Sequence, residues 1–489
     1  MNVLNFFNSK KLFWLLYIGV ILSWVLFAIC DYLFLGFRTW DTAAHVQPVL
    51  HWVLYGEYID KLLGVGHPFV NHFRPGLLTL APFFYFFQSM LVIHLAKIIT
   101  FSLCPLIFLH FGKKQKLTHT LYILPTLWII HDVLITTMYS ENQATSLALP
   151  LIVWAFCCAI NQQVKVMWIP LVLMLLFKEN LSLVWLCVGS FLCVEHKNWK
   201  LGSLVFCGGL LTGLGTYFYI IPLFSDGVMQ HSSDSFAPTR FLFKKIIMLI
   251  RAYLSMGFFV WFRPQALLYT LPAYGIFLVG AERVHQAFFL ANHTHDFTTA
   301  ILMCAFFYLV IKTTHNQSRF DIQKKGHRLY LKTVAVILIG FWIAKLPLIK
   351  IIEQIPSYKT ARLVKSSASQ LNESLNTTLH IYSGTRLMDI FIANQQIRPF
   401  DFGHSNMIKM LDNKHAHYII FPTQKPFSKL HPDFVKDYLS LVKNHQDLGY
   451  CELTLLNQSS PAQIAVIYYK KPLSSQLQHE AKKLMYKFM

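Results

Sequence analysis

Charge is what this chain of 489 residues has least of: Asp, Glu, Lys and Arg make up only 13% of it, and its 23 acidic residues are outnumbered by 43 basic ones. So few charges are far from the makeup of a soluble protein. Cysteine chemistry is also thin. Eight of the nine cysteines (Cys30, Cys104, Cys157, Cys158, Cys187, Cys193, Cys207 and Cys304) fall inside apolar runs and no CxxC occurs, which argues against a disulfide framework or a cysteine metal centre. No inverted internal repeat is found, as an alternating-access transporter would favour. The C-terminal region carries no Gly-rich phosphate loop.

What the chain does have is apolar length. Hydrophobic residues make up 55% and aromatics 15%, with 42 Phe, a composition that suits lipid-facing helices with interfacial Trp and Tyr. A formal charge of +20 would fit nucleic acid, but the basic residues sit in short loops and in the C-terminal region, so membrane lipids with anionic headgroups are the expected partner and nucleic acid is not. The first apolar run, Leu12 to Leu35, has no small-residue cleavage site before Asp31 and is expected to remain as a transmembrane helix.

Hydropathy and the positive-inside rule together predict about eleven transmembrane helices in an α-helical polytopic protein, with the N-terminus in the cytoplasm. The expected inner loops hold 14 Lys and Arg against 8 in the outer loops up to residue 296. Residues 1–349 form the membrane domain, with an outer loop at 36–75. Residues 350–489 read as a small extracytoplasmic α/β domain, with β-rich runs at 378–383, 417–421, 451–456 and 464–469 and helical patterns at 357–371 and 432–442. The expected location is the inner (cytoplasmic) membrane, multi-pass, with the C-terminal domain periplasmic or extracellular.

The polar residues of interest gather on the expected outer face. The 36–75 loop carries Asp41, His45, His72 and Arg74. Asp41 fits either a general base or a helix-capping carboxylate. His45, four residues on, shares a helical face with it and could orient it or meet an acceptor. A divalent ion between the two is not favoured, because no DxD follows. Arg74 lies before Pro75 at the start of an interfacial helix, where it suits either a phosphate or a snorkel to lipid headgroups. Lys178 and Glu179 interrupt an apolar stretch, a costly placement that marks a candidate site or an ion pair fixing a hairpin. Glu141 is a second candidate carboxylate, or a cap for the helix after it. His293, His295 and Asp296 form an HxHD that reads as solvated loop histidines before it reads as a metal site. His94 and Lys97, inside the second span, face the bundle interior or snorkel.

In their order these segments resemble an uncharacterised bacterial membrane-protein family filed as domain of unknown function 2079, which is similar to GT-C-type glycosyltransferases. The resemblance rests on Asp41 and Gln47 after the first helix, on His72-Phe73-Arg74-Pro75, on the outer turn ending at Glu141, on Phe177-Lys178-Glu179-Asn180, on His293 and His295, and on the C-terminal outer domain. It departs at Arg74, where Ser is expected, at Asn180, where Asp is usual, and at Tyr139-Ser140-Glu141 in place of His-Pro-Glu.

The resemblance implies an inverting GT-C-type glycosyltransferase that takes a sugar from a polyprenyl-phosphate donor and passes it to an extracytoplasmic glycan, lipid or protein acceptor. It implies no cofactor. Asp41 would act as base, Lys178 and Arg74 would hold the donor phosphate, Glu141, as a second catalytic carboxylate, would shape the acceptor side with His45 and His72, and Glu179 would join the substrate-binding residues. The other function classes are a transporter or lipid flippase, and a non-enzymatic membrane scaffold.

Overall fold

The computed structural model describes residues 9–33, 40–60, 67–70, 72–117, 120–139, 143–225, 241–256, 259–279, 295–315 and 347–354, and five strands at 381–384, 397–400, 418–422, 450–457 and 460–470. Packing divides the chain into two compact units, one of residues 1–27, 67–79 and 93–350, the other of 28–66, 80–92 and 351–489.

The first unit is helical. The apolar runs become α1 (Lys10–Leu33), α4 (Leu91–Lys114), the helical hairpin α9 (Val164–Leu175) and α10 (Ser182–Glu195), α11 (Trp199–Gly215) and α16 (Asp296–Thr314); α2 and α3 lie elsewhere and are given below. Among the described residues four helices are long and apolar enough to cross a membrane: Lys10–Leu33, Leu91–Lys114, Trp199–Phe224 and Asp296–Thr314. The Trp199–Phe224 helix runs through a π-turn at Thr216–Ile220 into α12 (Ile221–Phe224). Shorter elements complete the unit: α5 (Ile123–Ile130), α6 (Asp132–Tyr139), α7 (Ala144–Leu147), α8 (Leu149–Ile160), α13 (Leu242–Ser255), α14 (Ala266–Thr270) and α15 (Gly275–Val279).

Several expected spans are interrupted: 265–280 by a 3-10 turn at Leu271–Tyr274, and 246–262 by the end of its helix at Ser255. The run 121–137 is divided into α5 and α6 by His131, which is fully buried and takes an extended backbone. The expected span at 329–348 lies mostly outside the described residues, which end at Gln354 in α17 (Pro347–Gln354) before the strands begin.

The core of this unit is α16, apolar around its whole circumference and buried along nearly all its length. It packs against α6, α8 and α14. Between α10 and α11 the backbones touch. A Cβ on Gly189 would sit 2.6 Å from the amide N of Phe206, and one on Gly209 would sit 2.5 Å from Cβ of Trp185. Close approach of small residues is how helices associate where lipid removes the hydrophobic driving force between them.

Turns expected on the same side of the membrane contact one another. At one end Gln115 Nε2 donates to Asn161 Oδ1 at 2.7 Å, Gln162 Nε2 meets His196 Nδ1 at 3.1 Å, and Arg263 reaches Glu195. At the C-terminal end of α6 the Tyr139 ring lies 4.6 Å from Trp24 and 5.1 Å from Phe27, both within α1.

The second unit contains α2 (Trp40–Tyr55), α3 (Ala81–Phe86) and the sheet. The first part of the expected outer loop is therefore a helix, and it packs on α3. Its Thr42, His45, Gln47 and His51 are buried polar residues. The expected interfacial helix at 76–87 is a 3-10 turn at Pro75–Leu80 that continues into α3, with Pro82 in the first turn, where a missing N–H costs nothing.

The sheet has order β2-β1-β3-β5-β4, from β1 (Ile381–Gly384), β2 (Ile397–Phe400), β3 (Tyr418–Pro422), β4 (Tyr450–Asn457) and β5 (Ser460–Lys470). β1 runs parallel to β2 and β3, with Ile381 beside both Ile397 and Tyr418. β5 runs antiparallel to β3 and β4, with Tyr469 beside Tyr418 and Cys451. Four of the strands fall on the expected runs. β2 does not, and the helical patterns at 357–371 and 432–442 lie outside the described residues.

Candidate functional site

The polar centre of the helical unit forms where the segment before the Pro75 turn meets the α9–α10 hairpin. Gly76 makes the approach possible: its N–H donates to the Leu176 carbonyl at 2.6 Å, and a Cβ there would sit 3.0 Å from that oxygen and 3.1 Å from the Phe177 ring. That backbone bond sets His72 and Phe73 against the hairpin turn. His72 Nδ1 lies 2.7 Å from Glu179 Oε1, and the Phe73 amide donates to Glu179 Oε2 at 3.2 Å. Lys178, immediately before Glu179, donates from Nζ to Gln143 Oε1 at 3.3 Å.

Electrostatics fix the protonation of the pair. Burial, with Lys178 and Arg74 beside it, pushes the His72 imidazole down to about 3 against the opposing pull of Glu179. Burial alone would raise Glu179, but the charge and hydrogen bond of His72, together with Lys178, outweigh it and hold the carboxyl down to about 2. At neutral pH, then, Glu179 is a carboxylate, and His72, being neutral, must carry its proton on Nδ1, since a carboxylate only accepts.

Arg74 is 2% exposed, so it does not snorkel: its guanidinium is enclosed by protein near His72. Lys178 and Arg74 both lie close enough to His72 to act on its charge, with the Glu179 carboxylate bonded to it.

The structure brings together His72, Arg74, Lys178 and Glu179. Besides the charge of the adjacent Lys178, Glu179 takes a direct contact from His72, 107 residues earlier in the chain. Asp41 and His45 belong to the other compact unit; His45 is buried in α2, and the Asp41 side chain is outside the description. Glu141 and His293 also lie outside the described residues.

His295 and Asp296 are not solvated: they are 1% and 0% exposed, and His295 stacks on Phe277 with centroids 5.0 Å apart. Lys97 is likewise interior, at 2% exposure. Among the described residues no three His, Cys, Asp or Glu gather where they could hold a metal ion. Sequence reasoning missed Gln143, whose only signal was its place in the turn beside Glu141.

With this geometry in hand, comparison with known proteins adds two findings. Residues 46–400 match the family described as predicted membrane protein, DUF2079. The chain belongs to that family. The DUF2079 match takes in His72, Arg74, Gln143, Lys178 and Glu179, and begins after Asp41 and His45. Among solved structures the fold is similar to that of ArnT from Cupriavidus metallidurans, bound to undecaprenyl phosphate, with 10% identity, a TM-score of 0.50, and coverage of 96% of this chain and 99% of that one. At that identity the likeness is one of fold. No curated protein matches.

Proposed function

We propose that this DUF2079 protein is a GT-C-type inverting glycosyltransferase of the inner membrane, using a polyprenyl-phosphate sugar as donor and an acceptor outside the cytoplasm. The observation that carries the proposal is the turn that gathers Lys178 and Arg74, two side chains suited to a phosphate, around the His72–Glu179 pair. The fold it shares with ArnT, whose structure holds undecaprenyl phosphate, supports a lipid phosphate as the anion.

Lys178 and Arg74 hold the donor phosphate, and Glu179 and His72 hold those cations in place. Asp41 takes the proton of the acceptor hydroxyl. The acceptor oxygen then bonds to the anomeric carbon as the carbon–oxygen bond to the phosphate breaks, and the lipid phosphate leaves with its charge met by the two cations. His45 and Glu141 serve the acceptor side. In the membrane the end bearing Lys178 faces outward, the N-terminus lies in the cytoplasm, about eleven helices cross, and residues 350–489 fold as an extracytoplasmic α/β domain around the five-stranded sheet.

The test substitutes Asp41→Asn in the host and follows its lipid-linked sugars and surface glycans. The variant is expected to reproduce the profile of a full deletion. A wild-type profile, where deletion changes it, removes the base assignment.

A further inference from the structure

The helix α6 and the segment that begins at Gln143 are each held by a buried charge. Lys97 Nζ, in α4, donates to the Thr137 carbonyl of α6 at 2.5 Å. Asp296, at the start of α16, accepts from Thr145 Oγ1 at 2.9 Å and Ser146 Oγ at 2.7 Å, while its other oxygen takes the Phe297 amide at 2.6 Å. Thr100 of α4 adds a bond to the Ser146 carbonyl at 3.2 Å. Both charged side chains are almost completely buried. Burying a charge is costly unless its hydrogen bonds are made, and here they are made to α6 and to the segment after Gln143.

Only one residue separates Gln143 from Thr145, and Gln143 accepts from Lys178. We propose that Asp296, with Lys97 holding α6, is a positioning residue for Lys178. It fixes Thr145 and Ser146, these fix Gln143, and Gln143 holds the Lys178 ammonium where an anion meets it. The inference rests on Lys178 binding the lipid phosphate. It adds a role for a carboxylate that the sequence assigns to a solvated loop.

The experiment uses the full-length protein in nanodiscs, with undecaprenyl phosphate as the probe, and measures binding and melting temperature for Ser146→Ala, Ser146→Thr and Asp296→Asn, each alone and with Lys178→Gln. Lys178→Gln is expected to weaken binding about tenfold. Ser146→Ala and Asp296→Asn are expected to weaken it about fivefold in the wild-type background and no further in the Lys178→Gln background, with Ser146→Thr restoring most of the loss. Should Asp296→Asn not fold, the Ser146 pair carries the test alone. Unchanged binding in Ser146→Ala, or a loss that multiplies fully with Lys178→Gln, overturns the positioning role and leaves the phosphate site standing. Unchanged binding in Lys178→Gln overturns both.

Discussion

The two ends of α10 put the same chemistry to opposite ends. At its C-terminal end Glu195 is held by Arg263, with Nε donating to Oε1 at 2.8 Å and a second guanidinium nitrogen to the other oxygen. The guanidinium also lies 5.1 Å from the centre of the Tyr308 ring, and Lys312 lies 5.4 Å from it. Acid and base there form a closed bidentate pair. Beyond the N-terminal end Glu179 takes a neutral imidazole as its partner, and the adjacent Lys178 is held by an amide. A pair satisfied by its own opposite charge fixes two helices. Glu179 is instead bonded to a histidine, and Lys178 beside it donates to an amide oxygen.

The largest test crosses the two ends. Arg263→Ala strands a Glu195 side chain that is 4% exposed and should destabilise the protein by about 3 kcal/mol in melting experiments, leaving undecaprenyl phosphate binding intact. Lys178→Met should do the reverse, removing most of the binding while the melting temperature stays near wild type. If each variant affects both readouts equally, the contrast between the ends is lost.

Acid titration gives an effect on stability of similar size. The folded state holds both His72 and Glu179 below their ordinary values, so the stability they contribute is complete above those values and lost as pH falls. Since His72 moves from 6.5 to about 3, stability should fall between pH 6.5 and pH 4 by roughly 3 kcal/mol. His72→Asn should flatten that dependence. Equal slopes in the two proteins would show that the pair does not govern it.

The smallest effect is expected from Gly76→Ala. Its Cβ, 3.0 Å from the Leu176 carbonyl, should cost about 1 kcal/mol and weaken undecaprenyl phosphate binding only severalfold. A Gly76→Ala protein with wild-type stability would mean that the segment can retreat without disturbing the turn.

Much of the helical unit was legible because apolar length is a local signal. The long spans, the hairpin broken at Lys178 and four of the five strands fall where hydropathy and β-rich runs put them. β2 was not legible, since Ile397-Arg398-Pro399-Phe400 is short and carries both a charge and a proline. The break at His131 has no proline or glycine to announce it. At the site, Lys178 and Glu179 declared themselves by their cost in an apolar setting. The His72–Glu179 contact could not, because it joins residues 107 positions apart. Asp296 was misread for a related reason: its burial depends on hydroxyls from Thr145 and Ser146, 151 and 150 residues away, and a polar neighbourhood in sequence looks the same whether water or protein surrounds it.

The glycine contacts between α10 and α11 divide the surface of α11 into strips with opposite tolerance. Along Gly202, Gly209 and Gly213 a single added methyl group would collide with α10, whereas Leu204, Leu211 and Leu214 point away and are 60%, 70% and 47% exposed. Any greasy side chain will serve on the outward strip, so this helix is free to drift in sequence over most of its girth and is frozen along one narrow line.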